Sequence, residues 1–88
     1  MVPNTETLVR SVLDEVFALG GRAISLRPEA SLHAILPQLD SMAATAVITL
    51  IEERLALTVE PGDITGSDFE SLGSLIAAVS RLHRPPPS

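Results

Sequence analysis

The chain has 88 residues, enough for one small domain, and 45% of them are apolar while only 2% are aromatic. A core of that size has to be built from Leu, Ile, Val and Ala, which favours packed helices over a sheet. The absence of cysteine excludes disulfides, iron–sulfur clusters and thiolate zinc sites, and the net charge of -5 sets the chain against phosphate backbones and so against nucleic acid.

The first helix is expected from about Thr5 to Leu19, with a cap at Asn4 or Thr5, because Leu8, Val9, Val12, Leu13, Val16 and Phe17 recur at helical spacing. Glu6, Arg10 and Asp14 fall four apart on the other side and are expected to support one another weakly at the surface. Gly20-Gly21 reads as the C-cap. Residues 22–39 hold Pro28 and Pro37 and show no sustained period. They read as a long ordered loop pinned by Leu26, Leu32, Ile35, Leu36 and Leu39, with a short helical turn near Ser31 to Leu36.

The central helix is expected from about Ser41 to Leu55, with Ala44, Val47, Ile48, Ile51 and Leu55 as its inward stripe. Pro61-Gly62 marks a turn, Asp63-Ile64-Thr65 a short helical turn, and Ser67-x-x-Glu70 a capping box. The last helix is expected from about Ser71 to Leu82, burying Leu72, Leu75, Ile76, Val79 and Leu82, with Gly73 a weak point costing about 1 kcal/mol relative to alanine. His83-Arg84 place positive charge at its C-terminus, and Pro85-Pro86-Pro87-Ser88 read as an extended tail. No apolar run approaches the roughly 20 residues that span a membrane, and the first residues lack a signal-peptide pattern, so the expected location is the cytoplasm.

Ser41, Asp40 and His33 include the residue types of a hydrolytic triad, but G-x-S-x-G is absent and a helical domain this small offers little room for a substrate cleft. His33 and His83 stand apart from any cluster of metal ligands and read as surface residues. Glu52-Glu53 are adjacent on a helix, point in different directions and read as a solvated end. Asp40-Ser41 alone is an ordinary N-cap. Its place after a long loop, at the mouth of the central helix, opens a second reading. An exposed serine hydroxyl beside free N–H groups and the positive end of the dipole suits a phosphodiester, which another enzyme would have to attach.

Leu39-Asp40-Ser41-Met42 resembles the Asp-Ser-Leu attachment motif of acyl and peptidyl carrier proteins. The similarity continues through Ile51-Glu52-Glu53-Arg54-Leu55, Val59-x-x-x-Asp63-Ile64 and Phe69-Glu70-Ser71-Leu72, and covers roughly Thr5 to Leu82. The resemblance implies an all-α, four-helix acyl-carrier-like bundle. It would have three long helices, one short helix and a long loop between helices one and two, as one domain over 1–84 followed by the tail 85–88. It implies that a phosphopantetheinyl transferase attaches 4′-phosphopantetheine from coenzyme A to Ser41, with Asp40 placing the serine. The arm would supply the thiol this chain lacks, and acyl-loading and acyl-accepting enzymes would exchange thioesters on it. Such a protein is a carrier, not an enzyme, and is expected to be a monomer.

The same resemblance places Met42, Leu39, Ala43, Ala46, Glu52 and Glu53 on the partner surface. Two departures bear on the partner. Leu39 replaces the small residue usual before Asp-Ser, and Ala43 and Ala46 stand where fatty-acid carriers place acids. That points to a dedicated partner, in a specialised lipid or secondary-metabolite pathway, read by apolar contact. The pattern is also similar to carriers found beside bacterial exosortase systems. The alternatives are a peptidyl or aminoacyl carrier, serving peptide synthesis or D-alanylation, and a small acidic helical interaction module without a prosthetic group.

Overall fold

The computed structural model describes residues 5–36, 39–60 and 62–82. In chain order its elements are α1 (Thr5–Phe17), a 3₁₀ turn (Arg22–Ser25), the short α2 (Leu32–Ile35), α3 (Ser41–Leu55), a second 3₁₀ turn (Gly66–Phe69) and α4 (Leu72–Leu82). This is the expected all-α architecture, with three long helices, one short one and a long connection between α1 and α3. α1 packs on both α3 and α4. Among the described residues no strand forms, and an isolated antiparallel bridge joins Ser31 and Ser71. The expected cap at Asn4, the residues Pro37, Gln38 and Pro61, the pair His83-Arg84 and the tail 85–88 lie outside the described residues.

The core is a mainly aliphatic cluster that also includes Phe69. Val9, Val12 and Leu13 of α1 meet Val47, Ile51 and Leu55 of α3 and Leu72, Leu75, Ala78 and Val79 of α4. The remaining residues of the expected stripes, Leu8, Val16, Phe17, Ala44, Ile48, Ile76 and Leu82, are partly buried against this cluster. No polar side chain among the described residues is buried, so shape complementarity alone has to specify the packing.

α1 stops at Phe17, two residues short of the expected end. Ala18 takes the left-handed conformation at φ 53°, and the Leu19 N–H donates to the Asp14 carbonyl at 2.9 Å. That six-to-one bond closes a Schellman cap. The glycines therefore do not cap α1, and Gly21 instead precedes the first 3₁₀ turn at φ 93°. α3 matches its expected limits and ends the same way, with Ala56 at φ 53° and the Leu57 N–H on the Glu52 carbonyl at 3.2 Å.

Three expectations about the connections change. The short helical turn lies at Gly66–Phe69 instead of 63–65, with Ile64 buried just ahead of it. Its capping box is Thr65 with Asp68, not Ser67 with Glu70. A second reciprocal pair opens α4: the Ser71 hydroxyl accepts the Ser74 N–H and the Ser74 hydroxyl accepts the Ser71 N–H, each at 3.1 Å. The compact hydroxyl and carboxylate partners reach the backbone here, so α4 starts at Leu72 instead of Ser71. In the long loop Leu32 and Leu36 are buried and Leu26 and Leu39 half-buried, as expected of pinning residues, but Ile35 is exposed.

Two devices order this loop. The first is an ionic clamp on α1. The Arg10 guanidinium donates to the carbonyls of Ala23 at 2.8 Å and Leu26 at 2.6 Å while pairing with Glu6 at 2.9 Å. The Asp14 carboxylate accepts the N–H groups of Gly21 at 2.8 Å and Ala23 at 3.1 Å. Arg10 and Asp14 thus bind the loop and do not merely support each other at the surface. The second device is backbone docking on the start of α4, with Leu32 N–H on Glu70 O, Leu72 N–H on Ala30 O and Gly73 N–H on Pro28 O at 2.7 Å. A Cβ at Gly73 would stand 3.0 Å from that Pro28 oxygen. Gly73 is therefore a close-approach site rather than a weak point in the helix.

Candidate functional site

Asp40 is the N-cap of α3: its backbone is extended and its carboxylate accepts the Ala43 N–H at 2.8 Å, while its carbonyl accepts the Ala44 N–H. Ser41 is the first helical residue and is exposed. Its carbonyl takes the Thr45 hydroxyl at 2.8 Å, and no hydrogen bond ties its own hydroxyl to a described residue. A helix leaves its first N–H groups without intrahelical acceptors. Asp40 satisfies that of Ala43, so those of Ser41 and Met42 remain at the site of the hydroxyl. These residues fit a group joined through a phosphate: an accessible oxygen, backbone donors and the positive end of a 15-residue helix.

A groove of about 270 Å³ opens beside Ser41, lined by His33, Leu39, Asp40, Ser41, Ala44, Gly66 and Phe69. Three separate stretches meet there: α2, the end of the long loop running into the first turn of α3, and the second 3₁₀ turn. Sequence reasoning set His33 aside as a surface residue and assigned Phe69 to a motif; neither was placed beside Ser41. The three residue types of a triad do share this groove. No hydrogen bond joins His33, Asp40 and Ser41 to one another, and the Asp40 carboxylate is committed to Ala43. A larger, mainly apolar hollow of about 460 Å³, between α1 and the first 3₁₀ turn, shares no residue with this groove.

The residues assigned to a partner surface fall in two places. Met42 is 83% exposed, Ala46 is exposed, and Leu39 and Ala43 are half-buried, so these four surround the mouth of α3. Met42, Ala46, Thr49 and Glu53 follow helical spacing and are all exposed, forming one outward stripe. The first turn of α3 has no acid. Glu53 lies twelve residues beyond Ser41, about 18 Å along the helix. Half-buried Glu52 turns its carboxylate to the Val59 N–H at 2.8 Å, which ties the following loop to α3. Among the described residues no group of acids and histidines is arranged to hold a metal ion, and no helix is long and apolar enough to cross a membrane.

No protein-family model and no curated protein matches the chain. Among solved structures it is similar to the solution NMR structure of a holo acyl carrier protein from Nitrosomonas europaea, with 38% sequence identity and a TM-score of 0.77. The match covers 91% of this chain and 95% of that one. Identity at that level over nearly the full length of both chains, on the same helical framework, joins the motif pattern around Asp40-Ser41 to the architecture that presents it: the chain belongs to the acyl carrier protein family, whose members are carriers rather than enzymes.

Proposed function

We propose that the chain carries acyl groups as thioesters on a 4′-phosphopantetheine arm joined to Ser41, and delivers them to partner enzymes of a specialised lipid or secondary-metabolite pathway. The observation that carries this reading is the exposed Ser41 at the first turn of α3, capped by Asp40, in a chain 38% identical to a holo acyl carrier protein. The arm supplies the thiol that a cysteine-free chain lacks. The protein's own residues do the rest. Asp40 holds the first turn so that Ser41 is accessible to a phosphopantetheinyl transferase. Leu39, Met42, Ala43 and Ala46 offer partner enzymes an apolar, uncharged contact, and Glu53 marks the far end of that face. The acid-free first turn of α3 favours a dedicated partner over one that reads carboxylates, and is equally compatible with a peptidyl or aminoacyl cargo. The working unit is a monomeric domain over 1–84, acting in the cytoplasm.

Co-expression with a broad-specificity phosphopantetheinyl transferase, followed by intact-mass measurement, tests this directly. The wild type should gain one pantetheinyl adduct. Ser41→Ala should gain none while keeping its helical circular-dichroism spectrum, because the cap interaction belongs to Asp40 and remains. An unmodified wild type with several transferases would favour the small acidic interaction module instead. Mass spectrometry of the adduct from the native host then identifies the cargo.

A further inference from the structure

The groove beside Ser41 contains one side chain able to carry positive charge, and it is not an arginine. Among the described residues each arginine is engaged elsewhere: Arg10 with Glu6 and the loop carbonyls, Arg22 with the Leu19 carbonyl, Arg27 with Glu29, Arg54 with Glu15 and Ser11, and Arg81 with Asp68. His33 is exposed, lines the groove with Asp40 and Ser41, and makes no hydrogen bond or ion pair with a described residue. Its backbone is held firmly. Its neighbour Leu32 is fully buried, the Leu32 N–H is fixed to the Glu70 carbonyl at 3.1 Å, and the Leu36 N–H closes the turn on Leu32 at 2.8 Å. His33 thus lines the groove at the mouth of α3 from a short helix anchored in the core.

We propose that His33 is a positioning residue for the group carried on Ser41, its imidazolium facing the phosphodiester and holding the first part of the arm along the groove. The inference rests on the carrier reading above. A phosphodiester stays a monoanion throughout the range in which histidine changes charge, about pH 5 to 8. Contact between the two therefore makes the phosphorus signal depend on pH through a neighbour, since the diester itself does not titrate there. The other ionisable groups about the groove are acids. Asp40 caps α3 within it. The facing 3₁₀ turn brings Asp68, whose carboxylate accepts the Thr65 N–H at 2.9 Å and pairs with Arg81 at 3.7 Å. Glu70 follows, on an exposed position. His33 is then the one side chain lining the groove that can attract the phosphate, beside the N–H groups of Ser41 and Met42.

The test uses the full chain loaded by a transferase, with loading verified by intact mass, as wild type, His33→Gln and His83→Gln. The phosphorus-31 resonance of the arm is followed from about pH 5 to 8. A sigmoidal titration is expected in the wild type and in His83→Gln, and its loss in His33→Gln. Independently of any variant, the ring resonances of His33 should move between unloaded and loaded wild type. A flat phosphorus signal in the wild type, an unchanged titration in His33→Gln, or His33 ring resonances indifferent to loading would overturn the inference while leaving the carrier reading standing. Failure of every form to load would overturn both.

Discussion

Arg10 has a larger role than its position on α1 indicates. Its side chain is only 11% exposed, and it satisfies carbonyls of the loop from a helix whose other face is already committed to the core. Removing the guanidinium strands those carbonyls, and hydrogen bonds to charged groups contribute about 1.5–3 kcal/mol each in buried settings. Arg10→Met should therefore lower unfolding stability by about 2 kcal/mol in urea titrations; a change below about 0.5 kcal/mol would reduce the clamp to surface decoration. The spacing of Glu6, Arg10 and Asp14 was visible in the sequence, but not what the last two bind, because their acceptors and donors lie on the 3₁₀ turn beyond the helix and on the residues flanking it. Asp40-Ser41 is the opposite case. A cap and the residue after it are neighbours in the chain, so their geometry is local and legible without any tertiary information.

At the scale of the element, the helix ends carry the sharpest predictions. α1 and α3 each end on an alanine in the left-handed region, Ala18 and Ala56, where a Cβ costs about 1–2 kcal/mol and glycine does not. Ala56→Gly should raise the melting temperature, with a net gain of about 0.5–1 kcal/mol after the looser unfolded chain is counted. Gly73→Ala should do the reverse. Helix propensity alone would reward it by about 1 kcal/mol, but the new Cβ meets the Pro28 carbonyl oxygen at 3.0 Å, the same oxygen that accepts the Gly73 N–H. A lower melting temperature is expected, and a rise would show that the loop docks loosely. α3 was readable to the residue because its apolar period and its cap coincide. The end of α1 was not, since two glycines offered a stronger cap signal than the alanine that takes the conformation.

At the scale of the molecule, charge is unevenly placed. The chain has 11 acidic residues for a net charge of -5, yet none lies in the first turn of α3, beside the proposed attachment point. Apart from the cap Asp40, a partner that approaches Ser41 would meet Met42, Ala46 and the half-buried Leu39 and Ala43. Electrostatic steering would then contribute little to encounter there, and desolvated apolar contact more. The double variant Ala43→Glu with Ala46→Glu should keep the helical spectrum and weaken transfer to the native partner by tenfold or more, corresponding to about 1.4 kcal/mol. Unchanged partner kinetics would remove the apolar-contact account.

The amino-acid sequence by itself determined the helical class, the apolar stripes of the three long helices, the limits of α3 and the Asp40-Ser41 pair at its mouth. Each is a matter of local spacing: a 3.6-residue period and a cap next to its helix can be read from neighbours. Only the tertiary structure decided how residues 22–36 are held and what stands beside Ser41. The loop is bound by Arg10 and Asp14 from one side and by the backbone at Glu70, Leu72 and Gly73 from the other. The groove draws His33, Gly66 and Phe69 together from separate stretches. Those contacts join segments far apart in the chain without any repeating period, so they exist only once the helices have packed.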